Sequence, residues 1–399
     1  MAERNRRPRP RRGQNRPPSR GQRLEQEEFG SNSAAQDELQ STESTTETET
    51  KTTVTGTTEW ATGMLTSTEE STQYESISDS YEEQTSQPSV TGDAVSNGAT
   101  YTAAPTLDDI YQGGEITEDM AGPAVAQIQS ALTRLGFSIL TTGLLGETTL
   151  EVIKDFQEAY KLQQTGEIDM HDLERIDEAL TCSITLAQLQ EIAPTISDAN
   201  ATSWLPFLNA SMWEASINSD ARKAAYIAQL AHESDGFQTL EEYASGAGYE
   251  GREDLGNTEE GDGKRFKGRG PIQITGRYNY GTYGEQLGVD LVNNPELAAT
   301  PEVGFRIAAA YWANNDLNDY ADSGEFNTIT SRINGGQNGA DSRRAYWGTA
   351  KDSLGDESDI TSASQMSSTV DPEVLAEMAR SLPENDAAEV LKLIQGQSS

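Results

Sequence analysis

From Gly122 the apolar residues fall into helical register. Val125, Ile128, Leu132 and Leu135 mark one face of a helix that Gly136-Phe137 ends. Leu150, Ile153 and Phe156 share one side of a second helix over Thr148 to Tyr160, and a third runs from Met170 to Leu180. Gly143, Gly146 and Gly166 punctuate the turns between them. This spacing predicts a small three-helix domain over 121–181. A longer, mostly helical unit follows over 183–355. Ser183 to Leu189 reads as a capped helix start with Ile184, Leu186 and Leu189 facing a core. Asp220 opens a run of Ala, Ile and Leu to His232, long enough for a buried helix with Glu233 at its far end. A Ser/Thr-rich linker, 356–370, leads to a tail over 371–399. There Val374, Leu375, Met378, Leu382, Val390, Leu391 and Ile394 predict one or two short amphipathic helices broken near Leu382-Pro383.

The first 120 residues carry no such pattern. Nine arginines lie within Met1 to Arg23, and Leu24 to Met120 holds 21 acidic residues, a single Lys51 and long Ser/Thr/Gln tracts. A segment of this composition buries too little apolar surface to offset its ordering entropy, so 1–120 is expected to be disordered. The net charge of -36 works against nucleic acid and anionic membranes, apart from the Arg-rich head. That head has no interleaved aromatic residue to stack on bases, so specific nucleic-acid binding is not expected. No apolar stretch approaches the ~18 residues of a membrane span, and the start lacks the apolar run of a signal peptide. One cysteine, Cys182, and two histidines, His171 and His232, leave no basis for a disulfide, a clustered metal site or a cofactor requirement.

The densest chemistry lies in His232-Glu233-Ser234-Asp235-Gly236-Phe237, then Glu241-Glu242, then Phe266 to Gly276. A carboxyl at the end of an apolar helix can be held protonated by apolar neighbours, as a general acid requires. The glycines that follow imply an irregular, open strip, and Arg269, Gln273 and Thr275 are side chains suited to sugar hydroxyls.

Two resemblances organise these motifs. Val125, Gln129, Leu132, Leu135-Gly136-Phe137, Thr142 to Gly146, Thr148-Thr149, Phe156-Gln157 and Gly166 to Asp169 resemble the peptidoglycan-binding module of bacterial and phage wall hydrolases. That family usually has an acidic residue where this chain has Thr142. Ala231 to Ser234, Leu240 to Glu242, Gly261-Asp262-Gly263, Phe266 to Gly276, Tyr280, Asn294 to Leu297, Ala310 to Trp312 and Ile333 to Gly336 are similar to glycoside hydrolase family 19, in its phage endolysin and lysozyme branch. The resemblance implies a mainly α-helical, two-lobed, lysozyme-like fold acting on β-1,4-linked N-acetylated sugars. It places Glu233 as general acid, Glu242 as second carboxylate with Glu241 its adjacent rival, and Thr275 as holder of the attacking water. Gln273, Tyr280 and Asn334 fall at positions of substrate contact or cleft shape, and Arg269 either joins them or, like Arg344, forms a structural ion pair. His232 either orients the acid and contacts substrate or caps its helix. The chain departs from the family pattern at Asp235, usually Gly, and at Tyr243-Ala244-Ser245, usually Asn-Leu-Asn.

The expected activity is hydrolysis of peptidoglycan glycan strands by an inverting two-carboxylate mechanism. Chitin is the rival substrate, and a wall-binding or virion structural protein with little activity is the rival class. The expected partners are wall glycan and phage virion or tail proteins, reached through the N-terminal segment or the C-terminal helices. The expected location is a virion or tail, or the host cytoplasm before release to the periplasm or cell wall.

Overall fold

A computed structural model describes residues 100–355, 360–370, 372–381 and 384–396. The Arg-rich head, most of the polar N-terminal segment and the Leu382-Pro383 break lie outside the described residues. The architecture is mainly α-helical, as the sequence predicts.

The small domain starts earlier than the helical pattern implied. Strand β1 (Thr102–Ala103), helix α1 (Leu107–Tyr111) and strand β2 (Met120–Ala121) precede α2 (Pro123–Arg134), β3 (Leu144–Leu145), α3 (Glu147–Ala159) and α4 (Met170–Cys182). Strand β2 pairs parallel with β1 and antiparallel with β3. The expectation of disorder up to residue 120 therefore fails for 102–120. Leu107, Ile110 and Ile116 are buried among the residues of α2, α3 and α4, and α1 is closed by a Thr106–Asp109 capping box. Three apolar anchors in an acidic stretch are too sparse to register as a pattern, yet they suffice to dock it onto a core already formed.

Two buried glutamines organise the turns of this domain in the same way. Gln129 on α2 accepts from the N–H groups of Thr142 and Gly143, both at 2.8 Å, and donates to Thr142 Oγ1, Leu144 O and Thr149 Oγ1. Gln157 on α3 accepts from Gly166 N–H at 2.9 Å and donates to Thr165 Oγ1, Glu167 O and Asp172 Oδ1. Each amide ties its own helix to the next Thr-Gly turn and to the first turn of the next helix. Buried loop groups that would otherwise be costly are thereby satisfied.

The larger domain runs through α5 (Leu186–Ile192), α6 (Asp198–Glu214), α7 (Asp220–Glu233), α8 (Asp262–Arg265), α9 (Arg277–Leu287), α10 (Pro301–Asn314), α11 (Leu317–Asp322), α12 (Phe326–Asn334) and α13 (Ala340–Gly355). Helix α7 is the axis: Ala224 to Ala231 are all buried, and α13 packs along it. Tyr226 on α7 meets Trp312 on α10 edge to face with ring centroids 5.1 Å apart. The segment between α7 and α9 is mostly irregular, with the four-residue α8 and two short 3-10 turns at Ala247–Tyr249 and Glu253–Leu255, as its glycines foretold.

The two domains are packed together. Asn209 on α6 donates to Leu135 O of the small domain at 2.9 Å and to Ile184 O at 3.1 Å, and accepts from Ile184 N–H at 3.0 Å. Trp213 on the same helix packs against Tyr160 and lies beneath the Arg175 guanidinium.

The stretch expected to be a linker is also docked where it is described. Ala363 is buried in the small domain's core, its N–H donating to Asp177 Oδ1 at 2.6 Å, and Ser130 Oγ donates to Ser367 O at 2.8 Å. Beyond it come α14 (Pro372–Ser381) and α15 (Glu384–Ile394). Val370, Val390 and Ile394 bury themselves against Ala121, Ala126 and Leu144. Removing the Asn209 side chain strands one donor and two acceptors at the domain junction. Asn209→Ala is expected to cost about 1–3 kcal/mol in urea unfolding and to make the chain around Ser183 more readily cut by protease.

Candidate active site

The end of α7 and the loop that follows bring the candidate carboxylates into two differently built settings. Glu233 closes α7 with its side chain 20% exposed, and Oε1 accepts from Arg343 Nη2 on α13 at 2.5 Å. Arg343 is almost completely buried. Its Nη1 donates to Gln229 Oε1 at 2.6 Å, and Gln229 Nε2 donates to Thr330 Oγ1 at 3.0 Å. The surroundings of Glu233 are thus an ion pair with a buried guanidinium, not the apolar pocket the sequence suggested. Three residues, Gln229 on α7, Thr330 on α12 and Arg343 on α13, hold this carboxylate in one orientation.

Glu242 is held by the backbone. Its N–H donates to Gly268 O at 2.9 Å, and its Oε2 accepts from Gly268 N–H at 2.9 Å. Tyr249 OH donates to Oε1 at 3.1 Å, and the carboxylate pushes the Tyr249 hydroxyl up to about 12 together with burial, which is the larger cause. The phenol therefore remains a donor across the neutral range. A Cβ on Gly268 would lie 2.7 Å from Gln273 Oε1 and 3.2 Å from Glu242 Oε2, so a side chain there would displace the end of Gln273. Gln273 is thereby placed beside Glu242, with its own backbone in the left-handed region at φ 55° and its Nε2 donating to Gly270 O at 2.9 Å.

Glu241 has a different setting. It pairs with Lys267 Nζ at 3.3 Å and Arg269 Nε at 3.0 Å, and short β-bridges join Glu241 to Arg269 and Arg269 to Ile274. Two cations occupy Glu241, whereas hydrogen-bond donors alone orient Glu242.

Several residues expected to contact substrate are placed otherwise. Tyr280 is fully buried, its hydroxyl donating to Lys267 O at 2.7 Å and accepting from Arg269 Nη1 at 3.0 Å. Arg269, 8% exposed, is fixed by Glu241, Arg265 O and Tyr280. Both are braces beneath the loop: a polar side chain in a Gly-rich motif reads as ligand-facing, but here the motif folds over it. Asn334 is half-buried and donates to Asn338 O at 2.7 Å, shaping the turn before α13. Thr275 donates to Gln273 O at 3.2 Å just before α9. Arg344 pairs with the exposed Asp341 and bonds to Asn327.

The sequence reading missed Arg343, although a signal was present. Arg343, Trp347, Ala350 and Leu354 recur at helical spacing, a stripe that points Arg343 inward and leaves Arg344 outside.

His232 packs edge-on against the turn before α13. Its Nδ1 shares a hydrogen bond with Ser342 Oγ at 3.0 Å, and a Cβ on Gly339, at φ +66°, would overlap its Nε2. Burial, reinforced by repulsion from Arg343, lowers His232 to about 4 from an ordinary value of 6.5. Its neighbours are Ser342 and Gly339, so the ring braces α7 against α13.

Among the described residues no group of three or more His, Cys, Asp or Glu side chains could hold a metal ion, and no helix is long and apolar enough to cross a membrane.

Residues 199–349 match the family model of class I chitinases, glycosyl hydrolase family 19, and residues 121–173 match a peptidoglycan binding domain model. An endochitinase of Arabidopsis thaliana is 41% identical over 115 residues, which cover 29% of this chain and 39% of the relative. Endochitinase A2 of Pisum sativum is 55% identical over 51 residues, covering 12% of this chain and 16% of the relative. The chain thus spans well under half the length of these relatives. Among solved structures, chitinase C from Streptomyces griseus aligns at TM-score 0.37 and 24% identity, covering 44% of this chain and 77% of that one. The family GH19 class IV chitinase from Zea mays aligns at TM-score 0.36 and 23% identity, covering 44% and 94%. By its match to the family model over residues 199–349, the larger domain is of the glycoside hydrolase class. The chain carries a glycoside hydrolase family 19 domain with a peptidoglycan-binding domain upstream of it.

The depressed histidine gives a pH test of the brace. A native His232 that stays neutral to about 4 contributes stability that is fully present above 6.5 and is lost as pH falls from 6.5 towards 4, because only the unfolded chain takes up the proton. The stability difference between wild type and His232→Gln, measured by urea unfolding across that window, is expected to shrink as the pH falls.

Proposed function

We propose that this protein hydrolyses β-1,4-glycosidic bonds of peptidoglycan by an inverting two-carboxylate mechanism. The observation that carries the reading is the contrast between the carboxylates: Glu233 on a buried guanidinium, Glu242 on neutral donors, Glu241 occupied by cations. Glu233 gives a proton to the glycosidic oxygen as the bond from the anomeric carbon breaks. Arg343 then neutralises the carboxylate that remains. Glu242 takes a proton from a water that attacks the anomeric carbon from the opposite face, leaving a hydroxyl there with inverted configuration. Inversion requires room for that water between the carboxyls, ~6.5–9.5 Å. Thr275, next to Gln273, is assigned to hold the water, and Gln273 and Asn334 to shape the neighbouring surface.

Peptidoglycan is preferred to chitin because the upstream domain matches a peptidoglycan-binding family and is packed against the hydrolase domain. Chitin is the second reading, favoured by the class I chitinase model and by relatives named as endochitinases. For delivery to a wall we propose mounting on a phage particle through the segment before residue 100. The apolar residues Val390 and Ile394 of α15 are already buried on the small domain, which moves that role away from the C-terminal helices. Loss of co-sedimentation with particles on deleting 1–99 is the expected result.

Purified walls and chitin should be offered to wild type, Glu233→Gln and Glu242→Gln. Each variant is expected to lose about 10²–10⁴-fold in rate, as removal of a general acid or base does. The new reducing ends are expected first as the inverted anomer by proton NMR. Retained configuration overturns the mechanism. Binding to walls without cleavage by the wild type points to a structural protein instead.

A further inference from the structure

The two places where the chain departs from the family resemblance meet in space. Asp235 stands two residues beyond Glu233, Tyr243 one beyond Glu242, and Tyr243 OH donates to Asp235 Oδ2 at 3.1 Å. Asp235 has φ 53°, left-handed backbone in which a Cβ costs ~1–2 kcal/mol. Glycine would adopt it freely; aspartate tolerates it and adds a carboxylate. The turn is fixed by Gln238 Nε2 donating to Asp235 O at 2.8 Å, while Phe237 turns inward to 1% exposure. Asp235 is therefore held outward on a rigid corner.

Tyr243 is 72% exposed, the most exposed large apolar side chain among the described residues, and Ala244 and Ser245 after it are small and also exposed. A free surface tyrosine loses rotamer entropy when a ligand settles on it. This ring is tethered at its hydroxyl before any ligand arrives, so most of that loss is already met. Its tether ends on the turn that follows Glu233, and its backbone follows Glu242, so the ring belongs to both halves of the candidate site. The C–H face of a pyranose packs on such a ring, and the Asp235 carboxylate holds the ring by its hydroxyl.

Resting on the glycosidase reading above, we infer that Tyr243, held by Asp235, is a sugar platform beside Glu242 that seats one N-acetylated amino-sugar ring and sets glycan preference. Asp235 acts as the positioning residue.

The test uses the full chain with chitohexaose and with peptide-free wall glycan strands. Hydrolysis is followed in the otherwise wild-type chain, and calorimetric binding in the Glu233→Gln background. Tyr243→Ala is expected to raise KM and weaken binding about tenfold with kcat little changed. Tyr243→Phe and Asp235→Gly keep the ring but cut the tether, each expected to weaken binding about two- to threefold, with the double variant no worse than either alone. Thermal melts matching wild type show that the exposed substitutions leave the fold intact. Wild-type hydrolysis with unchanged KM and binding in Tyr243→Ala overturns the platform alone, and additive single effects overturn the role of Asp235. A wild type that neither binds nor cuts either glycan overturns the glycosidase reading and the platform with it.

Discussion

Everything around the candidate site depends on one buried cation. The Arg343 guanidinium sits where α13 meets α7, beyond the reach of water, and would be untenable there without partners. Gln229 and Glu233, one helical turn apart on α7, supply them. Truncating either leaves a charge or a polar group stranded in the core, so the register of the two helices and the orientation of Glu233 are fixed by a single requirement. His232 and Gly339 reinforce the same junction: the ring fits only because the turn before α13 has no side chain to displace it.

The second carboxylate is held on a different principle. No helix carries Glu242; it lies in the irregular strip between α7 and α9, where rigidity has to come from cross-links. The Lys267–Glu241–Arg269–Tyr280 cluster supplies them, together with the ion pair of the buried Asp262 with Arg277. The carboxyl of Asp262 is held below the usual carboxylate range chiefly by its hydrogen bonds to Arg277. A loop braced from beneath in this way can present Glu242 and Gln273 on its upper side without a packed core of its own.

The helices with an apolar stripe were legible before the structure: the period shows in α2, α3 and α4, while α7, buried all round from Lys223 to Ala231, was legible as a run rich in Ala, Ile and Leu. Helix α6 was not. It carries Pro206 in its interior and buries residues most of the way round, from Ala201 through Leu205 and Asn209 to Met212, because it lies between two domains and serves both. A helix with two partners has no single stripe. Of the site, the carboxylates and Gly268 were legible because their spacing is local. The stripe on α13 could have turned Arg343 inward, but its pairing was not legible, since its partners lie 110 and 114 positions away in sequence. Tyr280 was misplaced for a related reason, and for Arg269 the structure shows the ion-pair alternative: composition names the side chains in a loop but not which side of it they occupy.

The docking of the C-terminal helices has a consequence for biosynthesis. Part of the small domain's apolar surface is covered by Val370, Val390 and Ile394, which are made only after the hydrolase domain. While the hydrolase domain is being translated, the patch around Ala121, Ala126 and Leu144 stays uncovered. The small domain is thus finished only after the hydrolase domain that follows it in the chain, when α15 arrives to cover it.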